Sequence, residues 1–180
     1  TQSILKFARK DEPKTQRVHL QELVPEIISL VERKAQVNGI VLSHTINPDL
    51  PDITADASQL QQVLLNLLNN SVDAIIEKGN AIAGKLTVSV NTDTNNTIEI
   101  QIMDNGIGID DTDKEKIFSP FFTTKPPGKG TGLGMSTVYG IVKQHEGWIE
   151  VESDPGRGTS LRIYLPAKVG PAAAQDRPAP

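Results

Sequence analysis

The sequence of 180 residues contains no cysteine, which removes disulfides and thiolate metal sites from consideration. Its three histidines, His19, His44 and His145, stand far apart and form no metal-ligand spacing. No apolar run approaches the roughly 20 residues needed to cross a bilayer, and no signal peptide opens the chain. Basic residues are not in excess: 18 Lys and Arg face 22 Asp and Glu, for a net charge of −4. Nucleic acid favours clustered positive charge, so no nucleic-acid partner is expected. What is present is a body that is 37% hydrophobic and 22% charged, the composition of a globular domain with a real core. The chain opens mid-stream at TQSILKFARK, and the expectation is a fragment of a longer protein.

Apolar spacing places the elements. Ile4, Leu5, Phe7 and Ala8 read as the end of a helix, and RKDEPKTQR after them as a linker, so residues 1–17 are set apart. Leu20, Leu23, Val24, Ile27, Ile28, Leu30 and Val31 keep helical spacing up to Asn38-Gly39, a C-cap signal. IVLSHTIN (40–47) alternates as a strand, and PDLPDITAD (48–56) is a turn-rich link with a short strand. A long helix is predicted over Ala57–Lys78, stopped by Gly79. KLTVSVNTDT (85–94) and NTIEIQIMD (96–104) form a hairpin, and WIEVES (148–153) and TSLRIYLP (159–166) form a second, joined by DPGRG. Residues 112–121 hold a helical turn or two, 123–134 are too rich in Gly and Pro for a regular element, and Met135–His145 is helical. Residues 167–180, rich in Ala and Pro, read as a disordered tail after a domain spanning 18–166. This order is not strict βαβ alternation. It predicts an α/β sandwich: a mixed, mostly antiparallel sheet with helices on one face.

Four stretches carry candidate chemistry. In the helix that contains LLNLLNNSVDAII (64–76), Leu60, Val63, Leu64, Leu67, Leu68 and Ile75 share one side, and Asn66, Asn70 and Asp73 gather opposite. A solvated back face is one reading. Against it, such faces usually carry Lys, Glu or Arg, which are better helix formers. Amide oxygens suit a Mg²⁺ ion that completes its shell with water and phosphate. Asn69 has no part in either reading. In DNGIGID (104–110), Asp104 ends a strand before two alternating glycines. That is either a simple turn or a carboxylate aimed into a pocket, able to accept from an exocyclic amine such as adenine's. In GKGTGLGMS (128–136) alternating glycines precede a helix, presenting free N–H groups to an anion unless the segment is only a flexible linker. It matches neither a P-loop nor a dinucleotide fingerprint. In IFSPFFTTK (117–125) three of the four phenylalanines sit before the Gly/Pro loop, as an anchor, hinge or latch for a lid. His145-Glu146 reads as a satisfied helix end rather than a catalytic pair, and Trp148 as packing.

In this order the four stretches resemble the ATP-binding catalytic domain of sensor histidine kinases. Their wider group, the GHKL superfamily with its Bergerat ATP fold, includes DNA gyrase, the heat-shock ATPase chaperones and the mismatch-repair ATPases. QQVLLNLLNNSVDA is similar to the asparagine box and DNGIGI to the first glycine box. IFSPFFTTK is similar to the phenylalanine box and GKGTGLGMS to the second glycine box. DPGRGTSLRIYLP is similar to the closing hairpin, and the PPGKGTGLG lid resembles the nitrogen-regulation class. The resemblance covers residues 18–166 and implies a sheet of about five strands. It implies ATP and Mg²⁺ as ligands, with Asn70 on the metal and Asn66 one turn earlier lining the same site. Asp104 would take the adenine amine with Thr159 in support, and Gly106, Gly108 and Ile109 would shape the base pocket. Phe118, Thr124, Lys125, Lys129, Gly130, Thr131, Gly132, Leu133 and Gly134 would form the lid over the phosphates, with Asn66, Asn70 and Lys125 closest to the chemistry.

Two positions depart from the pattern. Asp73 stands where many histidine kinases carry a basic residue, so one phosphate contact is expected to be missing, with lid lysines as substitutes; Asp73 is still counted at the nucleotide site. Asn66 stands where the gyrase-like ATPases have a water-activating glutamate, and an amide is no general base. That favours transfer to a protein over hydrolysis, and sets aside a GHKL-type ATPase; a non-catalytic nucleotide-sensing module would have a degraded pocket. The resemblance implies an acceptor histidine on a separate dimerisation domain before residue 1, and a response regulator receiver domain as downstream partner. It also implies a monomeric isolated domain, a homodimeric parent, and a cytoplasmic location in which the parent is either free or membrane-anchored.

Overall fold

The computed structural model describes residues 14–79, 83–126, 128 and 130–167. The expected helix end, the expected linker up to residue 13, and all but the first residue of the expected tail lie outside them.

The central element is α2 (Ala57–Lys78), with the bounds its sequence predicts. Asp56 caps it by accepting from the N–H groups of Ser58 and Gln59 at 3.0 and 3.2 Å. Its buried side comprises Leu60, Val63, Leu64, Leu67, Leu68, Ser71, Val72 and Ile75. Each fully buried aliphatic side chain of this kind contributes about 1.5–3 kcal/mol relative to exposure. α2 packs against α1 (Leu20–Val37) on one flank and α4 (Gly134–Gln144) on the other.

Beneath the helices lies a five-stranded sheet. In chain order its strands are β2 (Ile40–Ile46), β4 (Gly84–Thr92), β5 (Thr97–Asp104), β6 (Trp148–Asp154) and β7 (Gly158–Pro166). In space they run β2-β4-β5-β7-β6, with β2 parallel to β4 and the other pairs antiparallel. This is the mixed, mostly antiparallel α/β sandwich expected. Alternation sorts the faces: Leu86, Val88, Val90, Ile98, Ile100, Ile102, Ile163 and Leu165 are buried toward the helices. The opposite face is polar at its edge, where Arg162 pairs with Glu152, Tyr164 donates to Glu150, and Trp148 stacks on Tyr164.

Three short elements complete the fold. β1 (Gln16–Val18) pairs antiparallel with β3 (Ile53–Ala55). Gln16 and Arg17, read from the sequence as linker, are therefore part of a strand, and Arg17 and His19 both bond Asp52. α3 is the single turn Asp111–Lys114. Among the described residues no helix is long and apolar enough to cross a membrane.

Candidate functional site

The fold opens a cavity of about 520 Å³ between the middle of α2, the ends of β5 and β7, and the segment leading into α4. Its deep end is built on Asp104, the last residue of the central strand, opposite Thr159 across the β5–β7 register. Asp104 is 7% exposed. Its Oδ1 accepts the Gly106 N–H at 2.9 Å and the Thr159 N–H at 3.3 Å. Burial pushes its carboxyl above the usual 3.8, although those two N–H groups, the Ser71 hydroxyl and the charge of Lys78 act the other way.

The two glycines that follow have steric reasons. A Cβ on Gly106 would lie 2.7–2.9 Å from atoms of Ala74, so only glycine lets this turn close on α2, where Ile107 N–H bonds the Ala74 carbonyl. Gly108 has φ +74, and a Cβ there would meet the Asp154 carbonyl at 2.1 Å. Gly108, Ile109 and Thr159 all line the cavity, whereas Gly106 lies behind it.

The other end carries amides, a lysine and backbone. Asn66 and Asn70 line the cavity one turn apart on α2. Asn66 donates to the Gly134 carbonyl at 3.4 Å, tying α2 to the start of α4. The Asn70 side chain has no hydrogen-bond partner among the described residues. Thr124, Lys125, Gly130, Thr131, Gly132 and Gly134 line the same end. No side chain caps the N-terminus of α4, which leaves its first N–H groups for a ligand.

Several candidates fall elsewhere. Asp73 does not line the cavity; its two oxygens bond Lys34 of α1 and Lys125, each at 2.6 Å. Burial raises its carboxyl, but the hydrogen bonds and charges of the two lysines outweigh this and hold it below the usual value. Leu133 is the residue preceding α4, 41% exposed and off the cavity wall. Phe118 packs on Tyr139 with centroids 5.4 Å apart. Phe122 is the phenylalanine of that stretch that lines the cavity, while Phe121 is 76% exposed and bonds Gly132 through its N–H. Lys129 lies outside the described residues.

Sequence reasoning missed Ser71, Phe122 and Ser153. Ser71 sits among the leucines of a core-facing side, and only its polarity there marked it. Asn69, unexplained in the sequence, bonds the Leu65 carbonyl and accepts from Lys34, so it braces α2 against α1 rather than facing the cavity. His145 is satisfied at the end of α4, bonding the Ile141 carbonyl and accepting the Asp56 N–H. The described residues hold no group of three or more His, Cys, Asp or Glu able to bind a metal.

The family described as histidine kinase-, DNA gyrase B- and HSP90-like ATPase matches residues 55–169. Sensor histidine kinase ZraS of Klebsiella oxytoca is 38% identical over 163 residues, 91% of this chain and 34% of ZraS. Signal transduction histidine-protein kinase AtoS of Escherichia coli K12 is 38% identical over 165 residues, 92% of this chain and 26% of AtoS. The chain thus spans about a third or less of these relatives' length. Among solved structures, the nucleotide-free catalytic domain of histidine kinase ThkA is similar at a TM-score of 0.73 and 31% identity, covering 86% of this chain and 96% of that domain. ThkA in complex with response regulator protein TrrA is similar at a TM-score of 0.72 and 27% identity, covering 91% of this chain and 45% of ThkA. With the boxes in order and the cavity they surround, the chain belongs to the histidine kinase-, DNA gyrase B- and HSP90-like ATPase family, as an ATP-binding catalytic domain of the sensor histidine kinase kind.

Proposed function

We propose that this domain binds Mg·ATP with the base at Asp104 and the phosphates under the 123–134 segment, and passes the γ-phosphoryl group to a histidine on a separate dimerisation domain of the same protein. The observation that carries this is a single cavity with a buried acceptor at one end and amides, a lysine and a helix N-terminus at the other. The Asp104 carboxylate and Thr159 take the adenine amine; Gly108 and Ile109 form the wall of the base pocket. Lys125 and the backbone N–H groups at Gly130, Gly132 and Gly134 neutralise phosphate charge, with Thr124 and Thr131 beside them. The donor set suits a magnesium ion that keeps its waters and needs few protein oxygens: Asn70 offers an amide oxygen that no described residue engages. When bound, that ion screens the phosphate charge; Asn70 would hold it, with Asn66 beside it.

Transfer is in line: the acceptor nitrogen bonds to phosphorus as the bond to the ADP oxygen breaks, and ADP leaves. The protein's part is positioning and charge neutralisation. Asn66 fixes the start of α4 through Gly134 and offers no base for water. Glu77 also lines the cavity but lies seven residues past Asn70, about 10 Å along α2 toward the Asp104 end. By the same reading the phosphorylated partner hands its group to a response regulator receiver domain, the parent is a homodimer, and this domain works in the cytoplasm. The test is γ-labelled ATP with this chain, with and without the parent's histidine-bearing domain. Acid-labile, base-stable label on the added domain is expected. Brisk hydrolysis without transfer would overturn the proposal in favour of an ATPase.

A further inference from the structure

One buried hydroxyl beside the cavity has no part in this reading. Ser153, near the end of β6, is 7% exposed. Its oxygen accepts the Ile109 N–H at 2.9 Å and donates to the Gly158 carbonyl at 2.9 Å. It also lies 2.9 Å from the Thr159 hydroxyl oxygen. A serine hydroxyl carries one proton. With that proton directed to Gly158, whose carbonyl can only accept, the third contact requires Thr159 to donate. The Thr159 proton is then turned toward Ser153, and only lone pairs of its oxygen are left for a ligand. Asp104, opposite Thr159 across the strand pair, is an acceptor as well.

We infer that Ser153 is a positioning residue for base selection: by holding the Thr159 hydroxyl as an acceptor it makes this end of the cavity a donor-reading site. Such a site takes a base with an exocyclic amine and rejects one with a carbonyl at that position. The inference rests on the proposed nucleotide reading and adds to it which residue sets the polarity of the pocket. Without Ser153, the Thr159 hydroxyl rotates and can donate to a carbonyl. The Ile109 N–H also loses its acceptor, but that disturbs the turn for any nucleotide alike. Specificity and mere structure therefore separate in the ratio of two affinities.

The experiment is calorimetric binding of ADP and of inosine diphosphate, whose base has a carbonyl in place of the amine, to four forms of the chain. These are the wild type, Ser153→Ala, Thr159→Val and the double variant. The wild type should prefer ADP by about 100-fold or more, as sites built around a hydrogen bond do. Ser153→Ala should cut that preference about tenfold, and should have no further effect on the ratio in the Thr159→Val background. Equal weakening of both nucleotides by Ser153→Ala would make the serine merely structural and overturn the inference. So would an undiminished change of ratio in the Thr159→Val background. A wild type that does not discriminate would overturn the nucleotide reading and the inference together, and it shows before any substitution is made. If Ser153→Ala does not fold, Ser153→Cys, close in volume and a weaker donor, carries the same comparison.

Discussion

Asp104→Asn changes one atom at the deep end of the cavity, and the local hydrogen bonds dictate how it must sit. Oδ1 accepts from both the Gly106 and the Thr159 N–H, at 2.9 and 3.3 Å. The amide must therefore keep its oxygen there and turn its NH₂ to the second carboxylate position. A donor then faces the adenine amine, also a donor. The complex loses a hydrogen bond to a charged group, about 1.5–3 kcal/mol, or about 10- to 150-fold in affinity for ADP. Stability should move the other way. The folded-state carboxyl titrates above the usual 3.8, so ionising it costs more in the folded chain than in the unfolded one. That cost is absent below pH 3.8 and fully felt once the pH exceeds the folded value. Asparagine never incurs it, so the variant should melt no lower than the wild type at pH 7, and its relative advantage should fade in acid. Calorimetry with ADP and thermal melts against pH read both effects. Unchanged ADP affinity in a folded variant would refute the placement of the base at Asp104.

Three further substitutions probe separate parts. Asn70→Asp places a negative charge beside the triphosphate and should impair use of Mg·ATP in the transfer assay; unaffected rates would remove Asn70 from the metal. Asp73→Asn breaks the pairs to Lys34 and Lys125, whose side chains are 41% and 30% exposed, so the loss at pH 7 should be small, about 0–1 kcal/mol per pair. Because the Asp73 carboxyl is held below its usual value, its contribution is present above pH 3.8 and lost as the pH falls through the lowered value. Urea unfolding of wild type and variant should therefore converge in acid. Leu68→Ala, at a position 1% exposed, should cost about 2–5 kcal/mol in urea unfolding without altering the cavity lining.

The elements that could be read from sequence are those with a local cause. α2 starts at an Asp that caps its own helix and ends at a glycine, so its bounds follow from neighbouring residues. The β4–β5 and β6–β7 hairpins follow from alternation and a turn. What was hidden depended on contacts distant in sequence. Nothing local makes β2 parallel to β4, with partners more than 40 residues apart. β1 is three residues long, too short to alternate visibly, and exists because β3 pairs with it. Asp73 reads in the sequence only as an acid where a basic residue is expected, because its partners Lys34 and Lys125 lie 39 and 52 residues away. Asn69 was opaque for the same reason: the lysine that engages it belongs to α1. Ser153 resembled any polar residue at a strand end until its three partners, one in the glycine turn and two at the start of β7, came together.

The direction in which the nucleotide lies in the cavity is tested most directly by nuclear magnetic resonance of the labelled domain with ADP and Mn²⁺ in place of Mg²⁺. Base at Asp104 and phosphates at the amide end predict that the paramagnetic ion erases the Asn70 side-chain amide and the backbone signals of Gly130–Gly134. The Gly106 and Thr159 amides should shift with nucleotide and, as the share of Mn²⁺ is raised from trace levels, broaden later than those signals. Loss of the Gly106 and Thr159 signals, with Asn70 and Gly130–Gly134 intact, would contradict the account.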